Sequence, residues 1–278
     1  MHDIDAHSHI WTPDTAHYPL AAGFRRANME PPSFTVEELL REANPVGVDR
    51  VVLIQMSFYG HDNSYMLDTI RRQPETFSGV AVIDQNAAEP ETEMRRLKKL
   101  GVRGYRIYPK DQAVDRWLDG EGLRKMFACG GEERLAMCCL IDANALPALA
   151  LACKKNPDTP VVIDHLARIG VTGEIPEAEV RALCGMAAHK QVTVKVSAFY
   201  ALGKKQPPYH DLAPFIKRVY EAFGPERLMW ATDCPYQVQG GQTYEQSIDL
   251  IREGLPFLSA DDKEWILRKT AERVFFQK

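Results

Sequence analysis

The sequence lacks the features that mark several large classes of protein. No apolar run approaches the roughly 20 residues that cross a membrane, and the polar, acidic N-terminus lacks the charged-then-apolar order of a signal peptide. The 34 Lys and Arg residues are outnumbered by 38 Asp and Glu, which gives a formal net charge of −4. Nothing therefore builds a basic patch for nucleic acid. We expect a cytoplasmic protein whose partner is a small metabolite, without membrane or nucleic-acid binding, and a homo-oligomer is compatible with the sequence.

Cysteine is sparse, and its spacing excludes the common metal motifs. None of the six cysteines forms a Cys-x-x-Cys pair, and most lie within apolar strand or helix patterns. This arrangement is typical of buried free thiols in a reducing compartment. The six are Cys129, Cys138, Cys139, Cys153, Cys184 and Cys234.

What the sequence does contain is one unit repeated along the chain. Helical stretches with apolar residues at three- and four-residue spacing separate short β-rich runs, and this alternation implies parallel strands with right-handed crossovers. The predicted strands cover residues 4–7, 51–55, 79–83, 104–108, 136–141, 161–164, 193–196 and 228–231. The clearest helices cover residues 92–100, 146–155, 177–189 and 212–223.

Eight such units, in a chain of 278 residues, predict an α/β protein of the (β/α)8 TIM-barrel type, with a single domain over residues 1–278. An open doubly wound sheet is the alternative. Its dinucleotide-binding version is disfavoured because no Gly-x-Gly-x-x-Gly follows the first strand. Residues 11–33 contain four prolines and are too long for an ordinary connection, so we expect them to form a loop or flap over the end of the first strand.

Polar residues occur where the predicted strands end. In a barrel these ends converge on one face, which is where barrel enzymes carry their sites. Residues two apart in a strand share a face, so the imidazoles of His7 and His9 can converge on one point. His165 and Asp233 each follow an apolar run directly and are interpreted as functional. We interpret Asp84, Asp142 and Asp164 as caps or turn residues, and Tyr200 as a loop residue; Gln55, Tyr108, Lys195 and Ser197 also lie at strand ends.

Four motifs carry a family resemblance. They are DAHSHIW at residues 5–11, VRGYR at 102–106, VIDHLAR at 162–168 and LMWATDCP at 228–235. In this order the chain resembles the amidohydrolase superfamily, in its amidohydrolase 2 branch, and is most similar to sugar-acid lactonases and the pyrone dicarboxylate lactonase type. The resemblance implies a TIM barrel, lactone hydrolysis and substrate binding by Arg106.

One departure from the family pattern affects the metal and the competing activity. Many members carry a further metal-ligating His after the fifth strand, where this chain reads CCLIDAN at residues 138–144. Related decarboxylases depend on that ligand, so its absence favours lactonases, some of which need no metal. His7, His9 and Asp233 remain candidate ligands for one divalent ion, Zn²⁺ or Mn²⁺, with His165 or Asp142 completing the set. Metal-independent catalysis is equally consistent with these residues.

The chemistry of the side chains suggests their roles in hydrolysing a cyclic ester. Asp233 can act as the general base that activates water, while His7, His9 and His165 stabilise the oxyanion or hold a metal. Arg106 offers a planar fork for a carboxylate, unless it pairs with Asp84 or Asp142. Weaker substrate-contact candidates are His61, Tyr108 and Arg168. Two other functions stay open: a metal-dependent non-oxidative decarboxylase and a barrel that only binds a ligand.

Overall fold

The computed structural model describes residues 2–109 and 113–277 and shows one eight-stranded parallel sheet in the order β1 to β8. The sheet closes on itself: the Asp233 amide donates to the His7 carbonyl and the His9 amide to the Cys234 carbonyl, each at 2.8 Å. The TIM-barrel prediction is thus confirmed, and all eight predicted strands are present. They are β1 Asp3–Ser8, β2 Val48–Ile54, β3 Phe77–Ala81, β4 Val102–Ile107, β5 Ala136–Cys139, β6 Val161–Ile163, β7 Val192–Ser197 and β8 Leu228–Ala231.

Eight helices follow the strands one by one and cover the outside of the barrel. Thr35 and Ser259 cap the helices that follow them, because each hydroxyl accepts a hydrogen bond from the backbone amide three residues later in the chain. None of the helices in the described ranges is long and apolar enough to cross a membrane. The helices are α1 Val36–Ala43, α2 Ser64–Arg72, α3 Pro90–Lys98, α4 Glu121–Glu133, α5 Leu146–Lys155, α6 Glu177–Gly185, α7 Ala213–Phe223 and α8 Tyr244–Asp249, followed by α9 Ala260–Glu264 and α10 Thr270–Phe275, with π-helical segments at Leu250–Gly254 and Trp265–Lys269.

Apolar side chains form two layers, one between strands and helices and one inside the barrel. The inner layer includes Ile4, Val52 and Met229, and Phe275 of α10 closes it at the amino ends of the strands. Polar side chains that enter the interior therefore gather toward the carboxyl ends. All six cysteines are free thiols; five are buried and Cys184 is partly buried.

Residues 11–33 are fixed to the barrel by specific contacts. Within the segment the Trp11 indole donates to the Pro31 carbonyl at 2.8 Å, and the Tyr18 hydroxyl ties the segment to α2 by donating to Asp68 at 2.9 Å. The Ala21 amide donates to the Phe58 carbonyl at 2.8 Å. This segment contains a short 3-10 turn, Arg26–Asn28, and reaches the carboxyl ends of the strands.

Candidate active site

The first strand brings His7 into the barrel through an irregularity in its pairing. Ile4 and Ala6 face the interior, and a register shift between Asp5 and Ser8 turns the next residue, His7, inward as well. Asp5 fixes this shift, because its carboxylate accepts the His7 amide at 3.0 Å and the Tyr244 hydroxyl at 2.7 Å. Strict alternation alone would have placed Ala6 and His7 on opposite faces.

The end of β6 has an unusual backbone. His165, Leu166, Ala167 and Arg168 all have positive φ, between 52° and 56°. Residues with a Cβ atom are disfavoured in this left-handed conformation by roughly 1–2 kcal/mol each, so contacts with the surrounding structure must stabilise the turn. The turn places the His165 Nδ1 atom 2.9 Å from the Ser197 hydroxyl, with its Nε2 toward Asp233.

Asp233 is the centre of the polar group. Its Oδ1 lies 3.2 Å from His9 Nε2 and 3.4 Å from His7 Nε2. Its Oδ2 accepts the Tyr200 hydroxyl at 2.7 Å and lies 3.8 Å from His165 Nε2. Burial by itself would raise the pKa of Asp233, yet the three histidines hold that pKa well below its usual value. The carboxylate is therefore ionised and positioned to accept a proton.

His9 has a defined orientation. Its Nδ1 lies 3.0 Å from the Ile54 carbonyl oxygen, which can only accept, so Nδ1 carries a proton. Its other nitrogen faces an oxygen of the Asp233 carboxylate. Because two lone pairs repel at this distance, the contact requires either a second proton on the ring or a cation between the two atoms.

A layer of buried charge lies beneath these residues. Lys195 Nζ is fully buried, 3.0 Å from Asp164 Oδ1 and 3.1 Å from His7 Nδ1. Arg106 Nη2 lies 3.5 Å from Asp164 Oδ2 and 3.3 Å from His7 Nε2. Burial and the Lys195 ammonium hold the pKa of His7 well below its usual value. Burial opposes ionisation of Asp164, but Lys195, His7 and Arg106 together hold the pKa of that carboxyl well below its usual range.

These contacts correct two interpretations of strand-end residues. Asp164 is not a surface cap; it is fully buried and pairs with Lys195. Arg106 pairs with Asp164, not with Asp84 or Asp142. The structure also does not bring Asp142 to the histidines, because its half-exposed carboxylate pairs with Arg168 at 3.4 Å.

The donor set suits a divalent ion in part. Ligand atoms of His7, His165 and Asp233 all lie within 4.8 Å of one another, and imidazole with carboxylate is a donor combination that zinc accepts. The Ile54 carbonyl at His9 Nδ1 is the kind of outer contact that orients a metal-binding imidazole. At His7 the outer contact is mixed, because Nδ1 faces both the Lys195 ammonium, at 3.1 Å, and the Asp164 carboxylate, at 3.5 Å.

A cavity of about 730 Å³ opens above the polar group. His9, Arg106, His165 and Asp233 line its deep end. The substrate-contact candidates His61, Tyr108 and Arg168 also line it, as do Ala21, Ala22 and Phe24 of the segment that the sequence predicts as a flap. The structure thus brings the predicted binding residues to one space with three of the four predicted catalytic ones, His9, His165 and Asp233, while His7 is fully buried beneath them.

Two residues of the site have roles that sequence reasoning missed. Tyr200 contacts Asp233 directly, although its place three residues after β7 gives only a weak signal. Lys195 was visible as a charged residue between two valines of a predicted strand. A buried lysine needs a charge partner, and that rule pointed to a functional or structural pair.

The fold and site define a class: a TIM-barrel hydrolase with histidines and a carboxylate at the carboxyl ends of its strands. The chain belongs to the amidohydrolase family, whose model Amidohydro_2 matches residues 4–277. This finding confirms the resemblance seen in the four motifs.

Curated relatives of the chain carry lactonase names. A 4-sulfomuconolactone hydrolase of Rhizobium radiobacter is 29% identical over 84% of this chain and 75% of the relative. An L-fucono-1,5-lactonase of Burkholderia ambifaria is 28% identical over 84% and 80%. A 2-pyrone-4,6-dicarboxylate hydrolase of Comamonas testosteroni is 30% identical over 84% and 76%.

Solved structures share the fold over the whole chain. An amidohydrolase of Burkholderia multivorans with bound zinc superposes with a TM-score of 0.84 at 19% identity and covers 100% of both chains. At this identity the likeness establishes the barrel and nothing about the ligand.

Proposed function

We propose that this protein hydrolyses a small lactone of a sugar acid or a dicarboxylate. The observation that carries the proposal is the Asp233 carboxylate, held ionised by three imidazoles and Tyr200 at the deep end of a cavity. The names of the relatives support lactones as the substrate class.

In the proposed reaction, Asp233 removes a proton from water as the water oxygen attacks the carbonyl carbon. Negative charge develops on the carbonyl oxygen. We assign its stabilisation to His7, His9 and His165. Collapse of the tetrahedral intermediate breaks the bond between the carbonyl carbon and the ring oxygen, and Asp233 returns its proton to that oxygen. The products are an open-chain hydroxyl and a carboxylic acid, which ionises to the carboxylate by releasing its proton to water.

Substrate binding is assigned to Arg106, Tyr108, His61 and Arg168, which all line the cavity. Arg106 is the deepest of these and its planar guanidinium suits a substrate carboxylate. Its ion pair with Asp164 fixes the side chain in place. Arg168 and His61 are more exposed and contact the outer part of the substrate.

A divalent ion, Zn²⁺ or Mn²⁺, would be held by His7, His165 and Asp233, with His9 beside the carboxylate. When bound it would polarise the carbonyl and acidify water. The Lys195 ammonium contacts the His7 ring at Nδ1 and repels a second cation there. We therefore propose that the ion binds weakly and that Asp233 and the three histidines catalyse the reaction without it.

The test compares replacement of the proposed base, Asp233, with the same replacement of an aspartate outside the cavity. We expect Asp233→Asn to lower the rate of lactone opening by about 10²–10⁴-fold, as loss of a general base does. The control, Asp84→Asn, lies at the end of β3 outside the cavity and should keep its rate. Acid release over a lactone panel measures both.

Each competing function has its own outcome in that experiment. Unchanged turnover in Asp233→Asn would refute the assignment of the base. Carbon dioxide release that depends on bound metal would favour a decarboxylase. Ligand binding with no turnover across the panel would favour a barrel that only binds.

A further inference from the structure

Ser197 lies at the end of a strand, and the proposed reaction leaves it without a role. It is the last residue of β7 and is fully buried. In the described part of the chain its hydroxyl has two partners, His165 Nδ1 at 2.9 Å and the Lys195 carbonyl oxygen at 3.5 Å. The hydroxyl has one proton to donate, so the direction of the shorter bond decides which nitrogen of the His165 ring is protonated.

Two arrangements of the protons satisfy the contact between Ser197 and His165. In the first, Ser197 donates to Nδ1, and the neutral ring carries its proton on Nε2. In the second, Nδ1 donates to Ser197, whose own proton is left with the Lys195 carbonyl, and Nε2 presents a lone pair. Burial lowers the pKa of His165, so the ring is neutral near pH 7 and holds one proton.

Two distances favour the first arrangement. The bond to His165 is short, whereas the contact with the Lys195 carbonyl, at 3.5 Å, exceeds the usual range of about 2.5–3.0 Å for a hydroxyl donor and an oxygen acceptor. The second distance is the 3.8 Å between His165 Nε2 and Asp233 Oδ2. A lone pair on Nε2 would face the negative charge of Asp233, whereas an N–H group is attracted to it.

The proton on Nε2 of His165 is available to a ligand. At 3.8 Å the Asp233 oxygen is too distant to accept a hydrogen bond from it, and the ring lines the active-site cavity. His9 lines the same cavity but is protonated on Nδ1, and its Nε2 lies 3.2 Å from Asp233. Of these two rings beside the base, His165 is therefore the one whose N–H group can bind a carbonyl oxygen.

We propose that Ser197 is a positioning residue for the hydrolysis. Its hydroxyl donates to Nδ1 and holds the His165 ring with its proton on Nε2. That N–H group then donates a hydrogen bond to the lactone carbonyl oxygen as negative charge develops there. The proton stays on the ring throughout the reaction. This inference rests on the proposed lactone hydrolysis and deepens it, because it assigns the donor atom and the residue that fixes it.

Nitrogen NMR of the full-length protein tests the direction of the bond without turnover. The protonated and unprotonated nitrogens of a neutral imidazole have widely separated shifts, so proton–nitrogen correlation spectra of histidine-labelled protein at pH 8 locate the proton. The spectrum of His165→Asn assigns the ring, and His9, protonated on Nδ1, is the internal comparison. We expect the His165 proton on Nε2. A proton on Nδ1 of His165 would overturn the proposal.

The variant Ser197→Ala tests the donor itself. Without the hydroxyl, Nδ1 of His165 accepts no hydrogen bond from it, and its nitrogen shift should move to higher frequency. The ring is then less constrained, and we expect kcat to fall about threefold to tenfold while KM stays within about twofold, the scale of one neutral hydrogen bond. An unchanged Nδ1 shift would contradict donation by Ser197.

The matched control is Ser247→Ala. Ser247 is also buried, and its hydroxyl accepts a hydrogen bond from the Trp230 ring nitrogen at 3.2 Å, outside the active-site cavity. This variant should leave kcat and the His165 spectrum unchanged. Equal losses of kcat in the two serine variants would show a purely structural effect and overturn the positioning role.

Failure of this inference can be distinguished from failure of the proposed function. Wild-type protein that opens lactones but carries the His165 proton on Nδ1 would refute the role of Ser197 and leave lactone hydrolysis intact. Folded protein that opens no lactone would refute the proposed function, and the positioning role with it. The NMR spectrum would still decide the direction of the bond between Ser197 and His165.

Discussion

The Tyr200 hydroxyl donates a hydrogen bond to Oδ2 of Asp233 at 2.7 Å, on the opposite oxygen from the one that faces His7 and His9. The carboxylate is thereby held from both sides and cannot rotate freely. Tyr200 also lines the cavity, so the residue that orients the base stands next to the substrate. Burial and the Asp233 charge raise the pKa of Tyr200, which keeps its proton on the hydroxyl.

We expect Tyr200→Phe to lower kcat about tenfold to a hundredfold, because a hydrogen bond to a charged group contributes about 1.5–3 kcal/mol. A donor favours the ionised carboxylate, so its loss raises the pKa of Asp233. The acidic limb of the kcat/KM profile should then move to higher pH. The control is Tyr220→Phe, which removes a comparable hydroxyl bond, to Asp262 at 3.1 Å, far from the cavity mouth. An unchanged profile in Tyr200→Phe would refute the role.

The buried Lys195 is expected to matter for folding. Replacing it by Met removes the nearest cation of the buried Asp164 carboxylate and leaves Arg106, at 3.5 Å, as its charged partner. Loss of one partner of a buried ion pair typically destabilises a protein by about 3–5 kcal/mol. Lys217→Met, which breaks an exposed pair with Glu221 at 3.8 Å, should change stability by only about 0–1 kcal/mol. Urea unfolding measures both. A Lys195→Met variant as stable as the Lys217 variant would show that Asp164 is not charged as described.

The sequence predicts the strands well because periodicity and alternation are local properties. Asp164 shows where that reasoning ends: an aspartate after a short strand has the same local pattern whether it caps a turn or pairs with a lysine on the next strand. Its role is decided by Lys195, 31 positions away along the chain. His7 is a second case, since the register shift that turns it inward depends on donors to Asp5 from Thr232, directly after β8, and from Tyr244 of α8.

Lys195 is also the reason that we expect the protein to bind a divalent metal ion only weakly. Treatment with a chelator should leave kcat/KM of the wild type within about twofold, because the ammonium lies nearer to His7 Nδ1, at 3.1 Å, than the Asp164 oxygen that would accept the proton of a metal-binding ring, at 3.5 Å. In Lys195→Met the neighbouring Asp164 can accept that proton, and we expect Zn²⁺ affinity to rise about tenfold to a hundredfold. Metal analysis and zinc titration measure the effect. Activity lost to the chelator and restored by Zn²⁺ would instead show a metal-dependent enzyme.

Acid should destabilise the protein through its buried histidines. Burial is the main cause that lowers the pKa values of His7 and His165 below the usual 6.5. Below pH 6.5 the unfolded chain therefore binds protons that the native state does not. The free energy of unfolding then falls as the pH decreases, by at most about 1.4 kcal/mol per pH unit for each histidine.

Urea unfolding at pH 7, 6 and 5 tests this slope. His165→Asn should reduce it by the contribution of one histidine, whereas His17→Asn, at an exposed position, should leave it unchanged. Asp5 acts in the opposite sense, because burial raises its pKa and its native state gains a proton first as the pH approaches the carboxyl range. The histidine effect should therefore be steeper between pH 6 and 5 than between pH 7 and 6, because the unfolded rings become fully protonated only below pH 6.5. A stability that is flat between pH 7 and 5 would mean that the folded and unfolded chains take up protons equally, so that burial does not lower the pKa values of the two rings.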